Sequence, residues 1–67
     1  MTLKPDPAHD TTGNGIESHY DLAQQLEMRG YEIRMDSDDN EHSEVWFADK
    51  HVGDIHGDNP ATVTTRE

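Results

Sequence analysis

Apolar side chains between residues 16 and 29 recur at the spacing of one helical face. Ser18 or Asn14 suits the N-cap, since a short polar side chain there accepts a hydrogen bond from the first turn. Gly30 suits the left-handed position that follows a helix. The pattern predicts a helix over 16–29 in which Leu22, Ala23 and Leu26 share an apolar face, with Ile16 near its edge.

Three later segments show strand patterns. Apolar and polar residues alternate over 31–35, β-forming residues fill 44–48, and a weaker strand with a central Gly53 covers 51–56. Residues 36–43 form a polar loop between the first two strands. The turn between the last two strands leaves the register open, so either Trp46 or Phe47 faces the core.

These elements predict an α+β domain over 16–58, in which one α-helix packs on a three-stranded antiparallel β-sheet in the order α-β-β-β. Prolines and glycines interrupt residues 1–15, which we expect to form a flexible N-terminal segment. Residues 59–67 form a tail that either adds a short strand or frays. The sheet face away from the helix is polar, a dimer interface or a partner surface, and we expect a monomer or a weak homodimer.

Composition narrows the function. The chain has 67 residues, a net charge of −10, 30% hydrophobic residues and no cysteine. This acidity argues against direct binding of nucleic acid or of an anionic membrane, and no apolar run is long enough to span a bilayer. The chain offers no catalytic constellation, so we expect no enzyme and no cofactor. The start of the chain lacks an apolar leader, and we expect a cytoplasmic protein.

The position of the charge is more informative than its total. Residues 36–58 contain eight acids and one lysine, whereas the predicted helix is nearly balanced. This concentration favours a directed binding surface for a basic partner, one that otherwise binds nucleic acid, because spaced carboxylates imitate the charge of duplex DNA. Trp46 is a hot-spot candidate. The predicted partner-binding acids are Asp36, Asp38, Asp39, Glu41, Glu44, Asp49, Asp54 and Asp58.

With these eight acids on a small, cysteine-free domain, the chain resembles in type the phage-encoded anti-CRISPR proteins, many of which are DNA mimics. The resemblance implies an inhibitor that blocks the DNA-binding surface of a CRISPR effector complex in the cytoplasm of the host cell. It involves no shared motif, so no functional residue is transferred. Two alternatives remain: a small haloarchaeal domain whose acidity serves salt adaptation, and a divalent-metal-binding accessory protein.

Motifs for a metal site are incomplete. Residues 53–57 match the G-D-x-H-G signature of calcineurin-like metallophosphoesterases, but the downstream motifs of that family are missing. We interpret Asp54 and His56 as part of a polar strand face. Residues 36–40 resemble the first half of a calcium loop and lack its second half. His51 and His56 are five residues apart, which on a regular strand places them on opposite faces. No metal site is predicted.

Overall fold

The computed structural model describes residues 5–38 and 41–66. Within these residues the fold consists of two helices and one four-stranded antiparallel sheet, which confirms the α+β class. The sheet order follows the chain. The elements are α1 (Pro7–Asp10), α2 (His19–Met28), β1 (Glu32–Met35), β2 (His42–Phe47), β3 (Lys50–Gly57) and β4 (Ala61–Thr65).

The predicted helix corresponds to α2, which is shorter than the expected 16–29. It begins after Ser18, whose hydroxyl accepts a hydrogen bond from the backbone N–H of Asp21 at 3.2 Å. Gly30 follows the helix with a φ of +97°, the left-handed conformation that terminates many helices. Ile16 lies before the helix and is 78% exposed, so it is not part of the buried helical face.

The prediction of three strands is wrong, because residues 61–65 form a fourth strand that pairs with β3. Ala61 and Val63 are buried while Thr62 and Thr64 are exposed. This alternation is the pattern of a half-buried strand, but it covers only two apolar positions. A pattern this short is compatible both with a strand and with a frayed tail.

The prediction of a single helix is also wrong, because the described part of the N-terminal segment 1–15 contains a second helix. Residues 7–10 form the short helix α1, which packs against β3 and β4 with Pro7 buried. Segment 13–17 then runs along the free edge of β4. The Asn14 side chain accepts from the Val63 N–H at 2.8 Å and donates to the Val63 carbonyl at 2.9 Å. The segment thereby covers a strand edge that would otherwise expose unpaired backbone groups.

The core lies between the helices and one face of the sheet. Two leucines of α2 pack onto inward side chains of the strands, and Tyr31 closes the cluster beside β1. Polar groups here are paired: buried His19 contacts the Gly57 carbonyl and the Ser43 hydroxyl, each at 2.7 Å. The buried hydrophobic residues are Leu22, Leu26, Tyr31, Val45, Val52, Ile55, Ala61 and Val63.

The opposite face of the sheet, called the outer face below, is covered by neither helix. Strand alternation places polar and aromatic side chains on it. Cross-strand pairing identifies the members of the central strands, because paired residues share a face. They are His42, Glu44 and Trp46 of β2 and His51, Asp54 and His56 of β3.

Candidate functional site

A cluster of three histidines and one aspartate occupies the centre of the outer face. We call this set, His42, His51, Asp54 and His56, the histidine cluster. Its members come from the two central strands, which contact each other more extensively than any other pair of elements. The positions of these side chains are therefore set by a paired backbone and not by a loop.

A β-bulge brings the histidines to one face. The register shifts between Val45 and Trp46, so that Trp46 pairs with His51 while His42 still pairs with His56. The prediction that His51 and His56 lie on opposite faces is therefore wrong. The bulge adds one residue to β3 and reverses the side on which His51 emerges, which the even spacing of a regular strand does not allow.

His42 lies between two carboxylates. Its Nε2 is 3.0 Å from Asp54 Oδ1, and its Nδ1 is 3.3 Å from Asp36 Oδ2. The contact with Asp54 and then that with Asp36 raise the pKa of His42, because a nearby negative charge favours the imidazolium.

Asp54 is the hub of the cluster. Its Oδ1 also lies 3.1 Å from His51 Nε2, which in turn is 2.8 Å from the Gly53 carbonyl. Partial burial by itself raises the pKa of Asp54, but the hydrogen bonds from His42 and His51 outweigh burial, and the pKa is lowered. The hydrogen bonds from the two histidines therefore stabilise the deprotonated form of Asp54.

His56 completes the cluster from an exposed position. Its ring stacks on His42 with 5.0 Å between the centroids and 27° between the planes. One ligand atom each from His42, Asp54 and His56 lies within 4.8 Å of the others. A shallow depression of about 440 Å³, lined by Glu41, His42, His56 and Gly57, opens beside them.

Trp46 lies on the outer face at the other side of Asp54 and is half-buried. The Arg34 guanidinium lies 4.0 Å from the centroid of its ring, and the ring also stacks on that of His51 with 5.3 Å between the centroids. Its Nε1–H donates to Glu44 at 2.9 Å. Phe47 turns instead toward Tyr31, with 5.3 Å between the ring centroids, so Trp46 is the outward residue of the pair.

Four of the eight predicted partner-binding acids lie together at one end of the sheet. Asp36, Asp38 and Glu41 belong to the β1–β2 loop, and Asp58 belongs to the β3–β4 turn. The Gly57 N–H donates to the Glu41 carbonyl at 2.8 Å, which joins the loop to the turn. We call these four residues the acidic end.

The other four predicted acids lie elsewhere. Glu44 and Asp54 are on the outer face and are bound by Trp46 and by histidines. Asp49 lies in the β2–β3 turn at the opposite end of the hairpin. The length of β2, at the usual rise per residue of a strand, separates it from the acidic end by about 17 Å. Asp39 lies outside the described residues.

The described cations lie away from the acidic end. Lys50 pairs with Phe47 at the far turn, and the Arg66 N–H donates to the Val52 carbonyl near the start of β3. Arg29 is the C-cap residue of α2. Arg34 binds Glu32 at 2.7 Å, and its guanidinium lies over the Trp46 ring. Charge is therefore separated along the sheet, with carboxylates at one end and mixed charge at the other.

Comparison with known proteins adds no family: the chain matches no family model, no curated protein and no solved structure at a significant level. Among residues 5–38 and 41–66, neither helix has the length and apolar content needed to cross a bilayer.

Proposed function

We propose that the protein is a non-enzymatic interaction protein whose acidic end binds the basic, nucleic-acid-binding surface of a partner protein. The observation that carries this proposal is the separation of charge along the sheet. Four carboxylate residues meet at the acidic end, while the four described Lys and Arg residues lie elsewhere.

The arrangement supports association physically. Three of the four residues, Asp38, Glu41 and Asp58, are exposed, so their carboxylates reach a partner without first being uncovered. A concentrated field of one sign accelerates encounter with an oppositely charged surface and orients the approach. Backbone hydrogen bonds from Gly57 to Glu41 and from His19 to the Asp58 carbonyl tie the loop, the turn and α2 together.

The most specific form of the proposal is a DNA mimic of the anti-CRISPR type that blocks DNA binding by a CRISPR effector complex. Its support is the resemblance in size and acidity together with the clustering of carboxylates. A DNA mimic competes with duplex DNA for the same groove, and that competition distinguishes it from an acidic protein that binds elsewhere on the partner.

The test uses two variants of equal charge change. The acidic-end variant carries Asp38→Asn, Glu41→Gln and Asp58→Asn, and the matched control carries Glu27→Gln, Glu32→Gln and Asp49→Asn, which lie at the other end of the molecule. All six acids are exposed. Biolayer interferometry against a panel of purified CRISPR effector complexes, with and without a target DNA duplex, measures affinity and competition.

We expect the acidic-end variant to bind about 30-fold more weakly than wild type, at about 0.7 kcal/mol for each exposed contact, and the control to change little. The duplex should displace the wild-type protein. Equal losses in the two variants would show that only total charge matters. Binding that the duplex does not displace would contradict DNA mimicry while leaving the interaction surface in place.

A further inference from the structure

We propose that His42, Asp54 and His56 form a zinc site on the outer face of the sheet. The inference does not depend on the proposed partner, since it concerns only side chains that the two central strands bring together. Its basis is convergence, because one donor atom from each residue lies within 4.8 Å of the other two.

Strand pairing explains why the three side chains converge. His42 and His56 stand directly opposite each other on β2 and β3, and Asp54 is the next residue of β3 on the same face. The donors of a tetrahedral Zn²⁺ with bonds of about 2.0–2.1 Å are about 3.3 Å apart. His42 Nε2 and Asp54 Oδ1 are already 3.0 Å apart, so mainly His56 has to move.

His56 is free to make that movement. Its side chain is exposed, and its ring stacks on that of His42. A change of rotamer therefore breaks no buried packing. The adjacent depression has room beside the two histidines for the ion and its water ligand.

A second layer of contacts orients the ligands. In the metal-bound form the Nδ1–H of His42 would donate to Asp36, and its Nε2 would bind the ion instead of donating to Asp54. A carboxylate behind a metal-binding histidine sets the tautomer in this way at many zinc sites. Asp54 is likewise held by His51, which fixes the carboxylate before an ion arrives.

The types of donor atom favour Zn²⁺ over Ca²⁺ and Mg²⁺. Two imidazoles and one carboxylate suit Zn²⁺ and its late first-row neighbours, whereas Ca²⁺ and Mg²⁺ prefer all-oxygen sites. Three protein ligands leave the fourth position to water or to a side chain of a partner. Without a metal, the competing arrangement is a proton on His42 Nε2, which would then donate to Asp54.

Isothermal titration of the full chain with ZnCl₂, after removal of metals with EDTA, tests the site. His56→Gln removes one ligand at an exposed position, and His9→Gln is the matched control because His9 is an exposed histidine on α1. Asp36→Asn tests the second layer. Far-UV circular dichroism checks that each variant is folded.

We expect one saturable Zn²⁺ per chain that millimolar Mg²⁺ does not displace. His56→Gln should weaken binding at least tenfold, Asp36→Asn about tenfold, and His9→Gln not at all. In ¹⁵N-detected spectra, Zn²⁺ should shift the ring nitrogens of His42 and His56 and leave those of His19 unchanged.

Three results would overturn the site. These are the absence of saturable binding, equal affinity in the His56→Gln and His9→Gln variants, and displacement by millimolar Mg²⁺. The last would mean general attraction of cations to an acidic surface.

Discussion

At the scale of single residues, Tyr31 shows how one polar atom can link separate parts of the chain. Its ring is 7% exposed and belongs to the core, while its O–H donates to Asp10 at 2.6 Å. Asp10 ends α1, so this hydrogen bond joins the N-terminal helix to the residue that precedes β1. Burial, and then the Asp10 carboxylate, raise the pKa of Tyr31 to about 12.

The raised pKa predicts a loss of stability at alkaline pH. The pKa in the folded state lies above the value of 10 expected for an unfolded chain. The contribution is therefore complete below pH 10 and disappears as the pH rises from 10 to 12. Urea unfolding between pH 8 and 12 should show this loss in wild type and less of it in Tyr31→Phe.

Tyr31→Phe should also cost about 1–2 kcal/mol at neutral pH, because it removes a hydrogen bond to a charged group. Tyr20→Phe is the matched control, since Tyr20 is 69% exposed. If Tyr31→Phe lost as much stability as wild type across the alkaline range, the assignment to Tyr31 would be incorrect.

At the scale of elements, the packing of the N-terminal segment onto β4 depends on contacts distant in sequence. Asn14 and Val63 are 49 residues apart, and Ala8 donates to the Thr65 hydroxyl across 57 residues. Neither the N-terminal segment nor β4 has a residue pattern that strongly predicts its local structure. The prolines and glycines of this segment predicted no regular structure, and most of it has none, yet its backbone and side chains pair with a strand edge.

Asn14→Ala should destabilise the protein by about 1–3 kcal/mol, because both backbone groups of Val63 lose a partner in a partly buried position. Thermal unfolding followed by circular dichroism measures the change. Asn14→Asp is the informative comparison, since it still accepts from the Val63 N–H and no longer donates to the carbonyl. An unchanged melting temperature in Asn14→Ala would show that the segment does not protect the edge.

The β2–β3 hairpin illustrates a second limit of sequence patterns at this scale. Its turn places Ala48 and Asp49 at φ values of +52° and +65°, and the bulge follows a few residues later. Alanine is not among the residues that favour such a turn, so residue type does not mark the position of this one. The faces of His51 and Trp46 depend on this combination of turn and bulge.

At the scale of the whole molecule, a net charge of −10 on 67 residues opposes compaction. Few of the described ion pairs offset it: Arg34 binds Glu32, and the rest involve histidines beside Asp36 and Asp54. The charge is also polarised along the sheet. We therefore expect added salt to raise the stability of the fold, because it screens self-repulsion, and to weaken binding to a basic partner, because it screens that attraction.

The melting temperature should rise between low salt and about 0.5 M KCl and then level off, because screening removes self-repulsion over this range. Measurement in EDTA separates this effect from metal binding. A protein that stayed unfolded until molar KCl would instead favour the haloarchaeal alternative, in which acidity serves salt adaptation. A melting temperature independent of salt would contradict the self-repulsion argument.

The sequence alone determined the α+β class, the existence of α2 and the glycine that follows it, the first three strands and the uneven distribution of acidic charge. These features depend on local periodicity and on residue type, which need no knowledge of distant contacts. Tertiary structure decided the fourth strand, the packing of residues 5–17, the separation of the acids and the convergence of the histidines. Those features depend on strand register and on one β-bulge, and both follow from pairing between segments that are far apart in sequence.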